Sequence, residues 1–301
     1  MVNAAAAVVS SFGVLLVLRV LAGLAAAACT PAAVAIAAEV APEERRGRYL
    51  ALVTGGLTVA LVAGVPAGTW LGGEYGWRST MVFVALLGAV SLAGAAGVPF
   101  MPAPPSLGLR RRLAPLAVPA VARLLAATVV SGIGGMMMLT YLFPVLREAG
   151  GVGHQQMTAL FTLYGVAGTA AAWLGGRGAD RWGPYRTLVA ALAGYGVTLW
   201  AAAALTMAGG VPSAVLGVVV VLLALAAWAI NPPLQSMMYG FARGAAAEAM
   251  ALATAALFTG ASLGGAMGGI LLDGWGPAAI PLAGGVLLLA AVPLIPRRAS
   301  S

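Results

Sequence analysis

"LALVTGGLTVALVAGVPAGTWLGG", residues 50–73, is an apolar run long enough to cross a bilayer, and a version of it occurs twice. Two hundred residues on stands "MALATAALFTGASLGGAMGGILLD", residues 250–273. At that shift Ala51, Leu52 and Thr54 fall on Ala251, Leu252 and Thr254. Gly64 falls on Gly264, Gly68 on Gly268 and Leu71 on Leu271. A loop two residues shorter then brings Gly76-Trp77 onto Gly274-Trp275. Arg45, Arg46 and Arg48 precede the first copy and Arg243 the second. Both copies therefore run the same way through the membrane, as expected of two halves related by an axis along the membrane normal.

Composition agrees with a membrane setting. The 301 residues are 61% hydrophobic and 8% charged, with a mean hydropathy of +0.99, whereas soluble domains carry about 25% charged residues. Polar breaks leave nine spans able to cross about 30 Å of hydrocarbon at about 1.5 Å per residue. They lie near 12–37, 49–72, 79–100, 119–146, 156–176, 185–208, 212–238, 249–272 and 277–296, behind an apolar stub at 1–9. All sixteen basic residues are arginine. Thirteen fall in or beside the loops at 39–48, 101–118, 177–184 and 239–248 and the C-terminus, against two, Arg78 and Arg147, on the opposite side. The positive-inside rule makes the first set cytoplasmic. This distribution also explains the net charge of +8 by topology, so nucleic acid is not an expected partner.

Several chemistries are excluded. One cysteine, Cys29, leaves no disulfide and no cysteine metal site. The single histidine, His154, sits in a predicted loop. No metal or other cofactor is expected, since the spans offer no set of His, Cys or acidic ligands. "GGRGADRWG" lacks the GK[ST] of a P-loop. A membrane-embedded enzyme is thereby disfavoured, and the chain reads as a non-enzyme.

Over essentially its whole length, the sequence resembles the major facilitator superfamily, in its twelve-helix drug:proton antiporter family and the sugar-efflux or chloramphenicol-resistance permease branch. "RVLAGLAAAACTPAAVAIAAEVAPEERRGR" is similar to that family's fourth helix and following loop, and "GVPAGTWLGGEYGWR" to its fifth-helix antiporter motif. "GGRGADRWGPYR" resembles the second copy of the signature cytoplasmic loop, and "NPPLQSMM" and "GASLGGAMGGILLD" resemble stretches of the tenth and eleventh helices. The fold implied is all-α, a polytopic helical bundle lacking roughly the first two to three helices of the family. Residues 1–100 would be the remainder of the N-terminal bundle, 101–118 a cytoplasmic linker and 119–301 a six-helix C-terminal bundle. A twelve-helix protein shortened at its start, by about 80 residues, explains the missing partners of the spans at 119–208.

The resemblance implies a secondary transporter in the inner cell membrane, with its C-terminus cytoplasmic. It would act as a monomer in the lipid bilayer, exporting a small amphipathic drug or sugar-like molecule against protons. The alternative is an inactive, truncated relative acting as a partner or relic. Arg19, the one charge deep in a span, either contributes to proton coupling or substrate contact or snorkels to the interface. Gly64, Pro66 and Gly68 would weaken a helix in water. In lipid, neighbouring groups re-satisfy the carbonyl freed by the proline, here that of Val62. The segment is either a packing groove or the bendable seal that the family implies.

Gly176, Asp180, Arg181, Gly183 and Arg186 form either a tight turn with topology-setting arginines or a cytoplasmic latch. In the latch reading the Asp180 carboxylate faces a helix N-terminus. The candidate cavity residues are Thr30, Ser131, Met137, Tyr141, Asn231 and Gln235, with Met136, Met138, Thr140 and Trp228 beside them. Each of these either faces a substrate passage or packs against a neighbouring helix.

Overall fold

The computed structural model describes residues 1–42, 45–97, 108–242 and 244–297. Arg243 and Arg298 lie outside the described residues, as do the side chains of Thr30 and Arg46. All regular structure among them is helical, as lipid requires when every backbone group must be bonded within its own segment. Among the described residues, six helices are long and apolar enough to cross a membrane, and two shorter apolar helices flank them. Packing divides the chain into two units, Met1–Pro105 with His154–Thr162, and Ser106–Gly153 with Leu163–Ser301.

The first unit holds α1 (Val2–Val8), α2 (Phe12–Val40), α3 (Arg46–Val59), α4 (Val65–Tyr75) and α5 (Trp77–Ala95). Helix α1 packs on α2 and α5, α2 on α3, and α4 on α5. Few described side chains are shielded by protein here. Ala6, Ala7 and Pro66 are buried, whereas Leu16, Leu24, Leu86 and Leu92 are exposed as a lipid-facing surface would be. Between α3 and α4, residues Ala60–Gly64 form a π turn, in which the Val65 N–H bonds the Ala60 carbonyl five residues back. The single helix expected over 49–72 is therefore interrupted. Pro66 cannot donate a backbone hydrogen bond, and one extra residue per turn shifts the ladder just before it.

The second unit contains α6 (Leu109–Leu113), a 3-10 turn at Ala114–Ala117, α7 (Pro119–Thr140), α8 (Leu142–Gly150) and most of α9 (His154–Trp182). It continues with α10 (Pro184–Ala208), α11 (Ser213–Trp228), α12 (Asn231–Phe241), α13 (Ala246–Trp275), α14 (Ala279–Ala291) and a 3-10 turn at Val292–Leu294. Helix α7 lies between α13 and α14, and small residues set both approaches. Gly132 and Gly260 bring α7 and α13 together so closely that a methyl group on Gly260 would meet the Val129 carbonyl oxygen at 2.6 Å. A methyl group on Gly134 would meet the Gly284 carbonyl oxygen of α14 at 2.7 Å. Leu124, Met138, Leu188, Leu199, Leu216 and Leu223 fill the interior.

The repeat keeps its register beyond the matched residues. The first copy runs from Arg46 to Tyr75, and the second, a single helix, from Ala246 to Trp275. Each ends on a glycine at positive φ, 80° at Gly76 and 81° at Gly276, a conformation that glycine adopts without steric cost. The structural partner of Gly76 is therefore Gly276, at the unbroken shift of 200. The sequence pairing of Gly76-Trp77 with Gly274-Trp275 is replaced, and no shortened loop is needed.

Candidate functional site

Within the second unit, α7, α9, α10, α11, α12 and α13 line an open cavity of about 520 Å³. Its walls are mostly apolar and, among the described residues, carry no charged side chain. Ser131 and Met136 enter from α7, Tyr164 from α9, Tyr195 from α10, and Trp228, Asn231 and Gln235 from the junction of α11 and α12.

That junction is made by the sequence "WAINPPLQ". Pro232 and Pro233 cannot donate to the carbonyls one turn back, so the helix ends at Trp228 and restarts at Asn231. Helix α9 fits the break with two glycines. The Trp228 ring lies over Gly168, and the Ala229 carbonyl oxygen stands 2.5 Å from the position of a methyl group on Gly175. The Trp228 Nε1 is buried without a hydrogen bond of regular geometry among the described residues, and the Tyr164 hydroxyl is its polar neighbour.

Tyrosines 164 and 195 were not expected at a site. Their signal was present: each is a polar aromatic inside an apolar span, followed directly by glycine, "LYG" and "GYG". The Tyr195 ring rests against Gly135, and its hydroxyl donates to the Gly135 carbonyl at 3.2 Å. The smaller hydroxyls are spent within their own helices. Thr128 donates to the Leu124 carbonyl at 2.9 Å, Ser131 to that of Thr128 at 3.3 Å and Thr254 to that of Met250 at 3.0 Å.

Of the candidate cavity residues, Ser131, Asn231 and Gln235 line this space, together with Met136 and Trp228. Met137 is fully buried and lies where a methyl group on Gly268 would strike its Cγ at 2.9 Å. The Tyr141 hydroxyl donates to the Gly265 carbonyl at 2.7 Å. Both side chains thus bind α7 to α13 rather than face the cavity. Tyr141 also divides the span expected at 119–146 into α7 and α8. Met138 is buried, and Thr140 donates to the Met136 carbonyl at 2.7 Å.

In the first unit, Arg19 is half-buried. Its Nη2 donates to the Asn3 side-chain oxygen, while its Nε is buried without a hydrogen bond among the described residues. Asn3 was hidden in a stub judged too short to cross. Gly64 is the last residue of the π turn and Pro66 lies in the first turn of α4, and a methyl group on Gly68 would meet no described atom within 4 Å. His154 begins α9 instead of lying in a loop, and its Cβ stands 3.2 Å from the position of a methyl group on Gly73.

The turn at 177–184 is shorter than expected. Helix α9 continues through Gly176, Asp180 and Arg181 to Trp182, and Gly183, at φ 85°, is the whole connection to α10. Asp180, Arg181 and Arg186 are exposed. Thr187 locks the turn by donating to the Gly183 carbonyl at 3.0 Å. Arg177 lies 4.0 Å over the Trp173 ring. Arg297 donates to the Tyr185 hydroxyl at 3.2 Å, and this bond holds its guanidinium pKa above the ordinary value.

Comparison with known proteins agrees with this architecture. The family profile described as "Major Facilitator Superfamily" matches residues 1–247 and, in an overlapping second match, 124–301. A chloramphenicol resistance protein of Streptomyces lividans is 36% identical over 274 residues, covering 87% of this chain and 67% of that protein. An uncharacterized MFS-type transporter, YbcL, of Bacillus subtilis is 28% identical over 77% of this chain and 59% of its own length. A purine ribonucleoside efflux pump, NepI, of Salmonella paratyphi B is 25% identical over 94% of this chain and 70% of its own length. The chain thus spans between 59 and 70% of these three relatives.

Proposed function

Because the chain belongs to the Major Facilitator Superfamily, a family of multi-pass membrane transporters, we propose that it takes part in proton-coupled export of a small amphipathic molecule. Alternating access would expose one central site to either face in turn. The cavity supports this reading most directly, because it combines largely apolar, adaptable walls with a few amide and aromatic polar groups. Two of the relatives bear names of resistance or efflux, chloramphenicol in one case and purine ribonucleosides in the other.

Further parts of the proposal rest on single residues. Arg19, held by Asn3, is assigned to proton coupling, since an intramembrane cation is costly unless it is used or paired. The π turn beside Pro66, with Gly64 and Gly68, is assigned to the seal, because such turns mark helices that bend. Asp180 and Arg181, in the last turn of α9, with Gly183 and Arg186 are assigned to a conformational latch. The inner membrane, a cytoplasmic C-terminus and monomeric action complete the proposal.

Proteoliposomes carrying the full protein and an imposed pH gradient test the function. Chloramphenicol should move against the proton flux, and Arg19→Ala should abolish the movement while the protein stays folded. Equal exchange by Arg19→Ala and parent would remove Arg19 from the coupling. No gradient-dependent exchange by the parent with any of a panel of amphipathic drugs would overturn the export reading.

A further inference from the structure

We infer that the second unit binds an anionic phospholipid at the carboxyl end of α14, with Arg123 and Arg297 holding the headgroup phosphate. The site lies apart from the cavity. Only its placement in the cytoplasmic leaflet rests on the orientation proposed above.

Packing brings the arginines to one place. Tyr185 meets Arg297, Gly196 meets Leu289 and Trp200 meets Leu282, so α10 and α14 run antiparallel along one seam. The turn that follows α14, Val292–Leu294, also packs on α7. The amino ends of α7 and α10, at Pro119 and Pro184, therefore lie beside the end of α14, and such ends favour negative charge.

Two guanidiniums are fixed at this point. Arg297 Nε donates to the Tyr185 hydroxyl at 3.2 Å, and Arg123 Nη2 donates to the Pro293 carbonyl at 3.0 Å. Both arginines are exposed. Both described partners are neutral, so they orient the cations without cancelling their charge. Each guanidinium keeps further N–H donors, in the planar arrangement that suits a phosphate. The Tyr185 hydroxyl accepts from Arg297 and keeps its own proton for a headgroup oxygen.

The surroundings separate a lipid from a free anion. Exposed Arg110, Arg111, Arg112, Arg177, Arg181 and Arg186 stand at the same end of the unit, against Asp180 and Glu248 as its described carboxylates. A basic site between membrane helices fits an anionic headgroup. Farther along the seam, Val197 and Trp200 of α10 and Leu282 and Val286 of α14 are exposed, and Trp200 lies across Gly285. Acyl chains would follow this apolar track while the phosphate sits at the arginines. Inorganic phosphate has no use for the track.

Native mass spectrometry of the purified full chain tests the inference with dioctanoyl phosphatidylglycerol and dioctanoyl phosphatidylcholine. The anionic lipid should bind about tenfold more tightly than the zwitterionic one. Arg123→Gln with Arg297→Gln should abolish most of that preference. Arg110→Gln with Arg111→Gln removes the same charge from α6 and should change it less than twofold. Tyr185→Phe should weaken binding of the anionic lipid about threefold with an unchanged melting temperature, and it reports on the site even if the first pair fails to fold. Equal binding of the two lipids would overturn the inference, as would equal losses in the two double variants or undiminished binding by Tyr185→Phe. Displacement of the lipid by an equal concentration of inorganic phosphate would overturn it too, by showing a simple anion site. Selective lipid binding by a protein whose C-terminus proves to face outward would instead refute the orientation and leave the site standing.

Discussion

Replacing Gly264 with alanine adds one methyl group where the backbones of α7 and α13 approach closely. Its carbon would lie 2.5 Å from the Ile133 carbonyl oxygen and 3.1 Å from the Met137 backbone nitrogen, where ordinary contact begins at 3.4 Å. Both atoms are backbone and cannot rotate away, so the helices must part locally by about 0.9 Å. Overpacking of this kind costs about 1–3 kcal/mol. For a unit of this size each kcal/mol lowers the melting temperature by about 2–4 °C. Gly265, one residue on, supplies the control, since a methyl group there meets no described atom within 4 Å. Alanine in a helix is favoured over glycine by about 0.8–1.0 kcal/mol, so Gly265→Ala should leave stability unchanged or raise it. Melting of the detergent-purified variants should therefore show a loss for Gly264→Ala, with no loss for Gly265→Ala. Equal melting temperatures for the two variants would refute the packing argument.

Other expectations follow from single contacts. Tyr141→Phe removes the hydroxyl bonded to Gly265 and should cost about 0.5–1.5 kcal/mol, read as a small drop in melting temperature with substrate binding unchanged. Asn3→Ala strips the described hydrogen bond from Arg19 and should impair proton-driven exchange in proteoliposomes, with Asn3→Gln restoring part of it; equal exchange by both variants and the parent would count against the pairing. Pro66→Ala returns a backbone donor to the π turn and should leave thermal stability within about 1 kcal/mol. It should slow exchange severalfold, or else the turn is no hinge.

The helices were legible in the sequence because lipid leaves only one way to satisfy their backbone, and long apolar runs say so directly. Breaks inside the runs were harder to place. Gly64 and Pro66 announced a weak point, but a π turn and a simple kink share the same sequence signal. The break at Trp228–Asn231 was written in two adjacent prolines, and Asn231 and Gln235 were recognised beside it. Met137 and Tyr141 were ambiguous because sequence shows a polar or adaptable residue without showing the face it occupies. Gly264, Gly265 and Gly268 draw both side chains toward α13. Tyr164 and Tyr195 passed unnoticed since each stands alone in an apolar span, and only the packing of α9 and α10 brings them together. The turn at Gly183 looked longer than it is, because "GGRGADRWGPYR" is polar enough for a loop yet continues α9 almost to its end.

Site-directed labelling tests the central claim, that a single, largely apolar cavity opens to the two faces of the membrane in turn. With Cys29 changed to serine and Ser131 to cysteine, a membrane-impermeant maleimide is applied to right-side-out and to everted vesicles. The account predicts labelling from both faces, with a pH gradient shifting the balance between them. Labelling from one face alone, whatever the gradient, would contradict it.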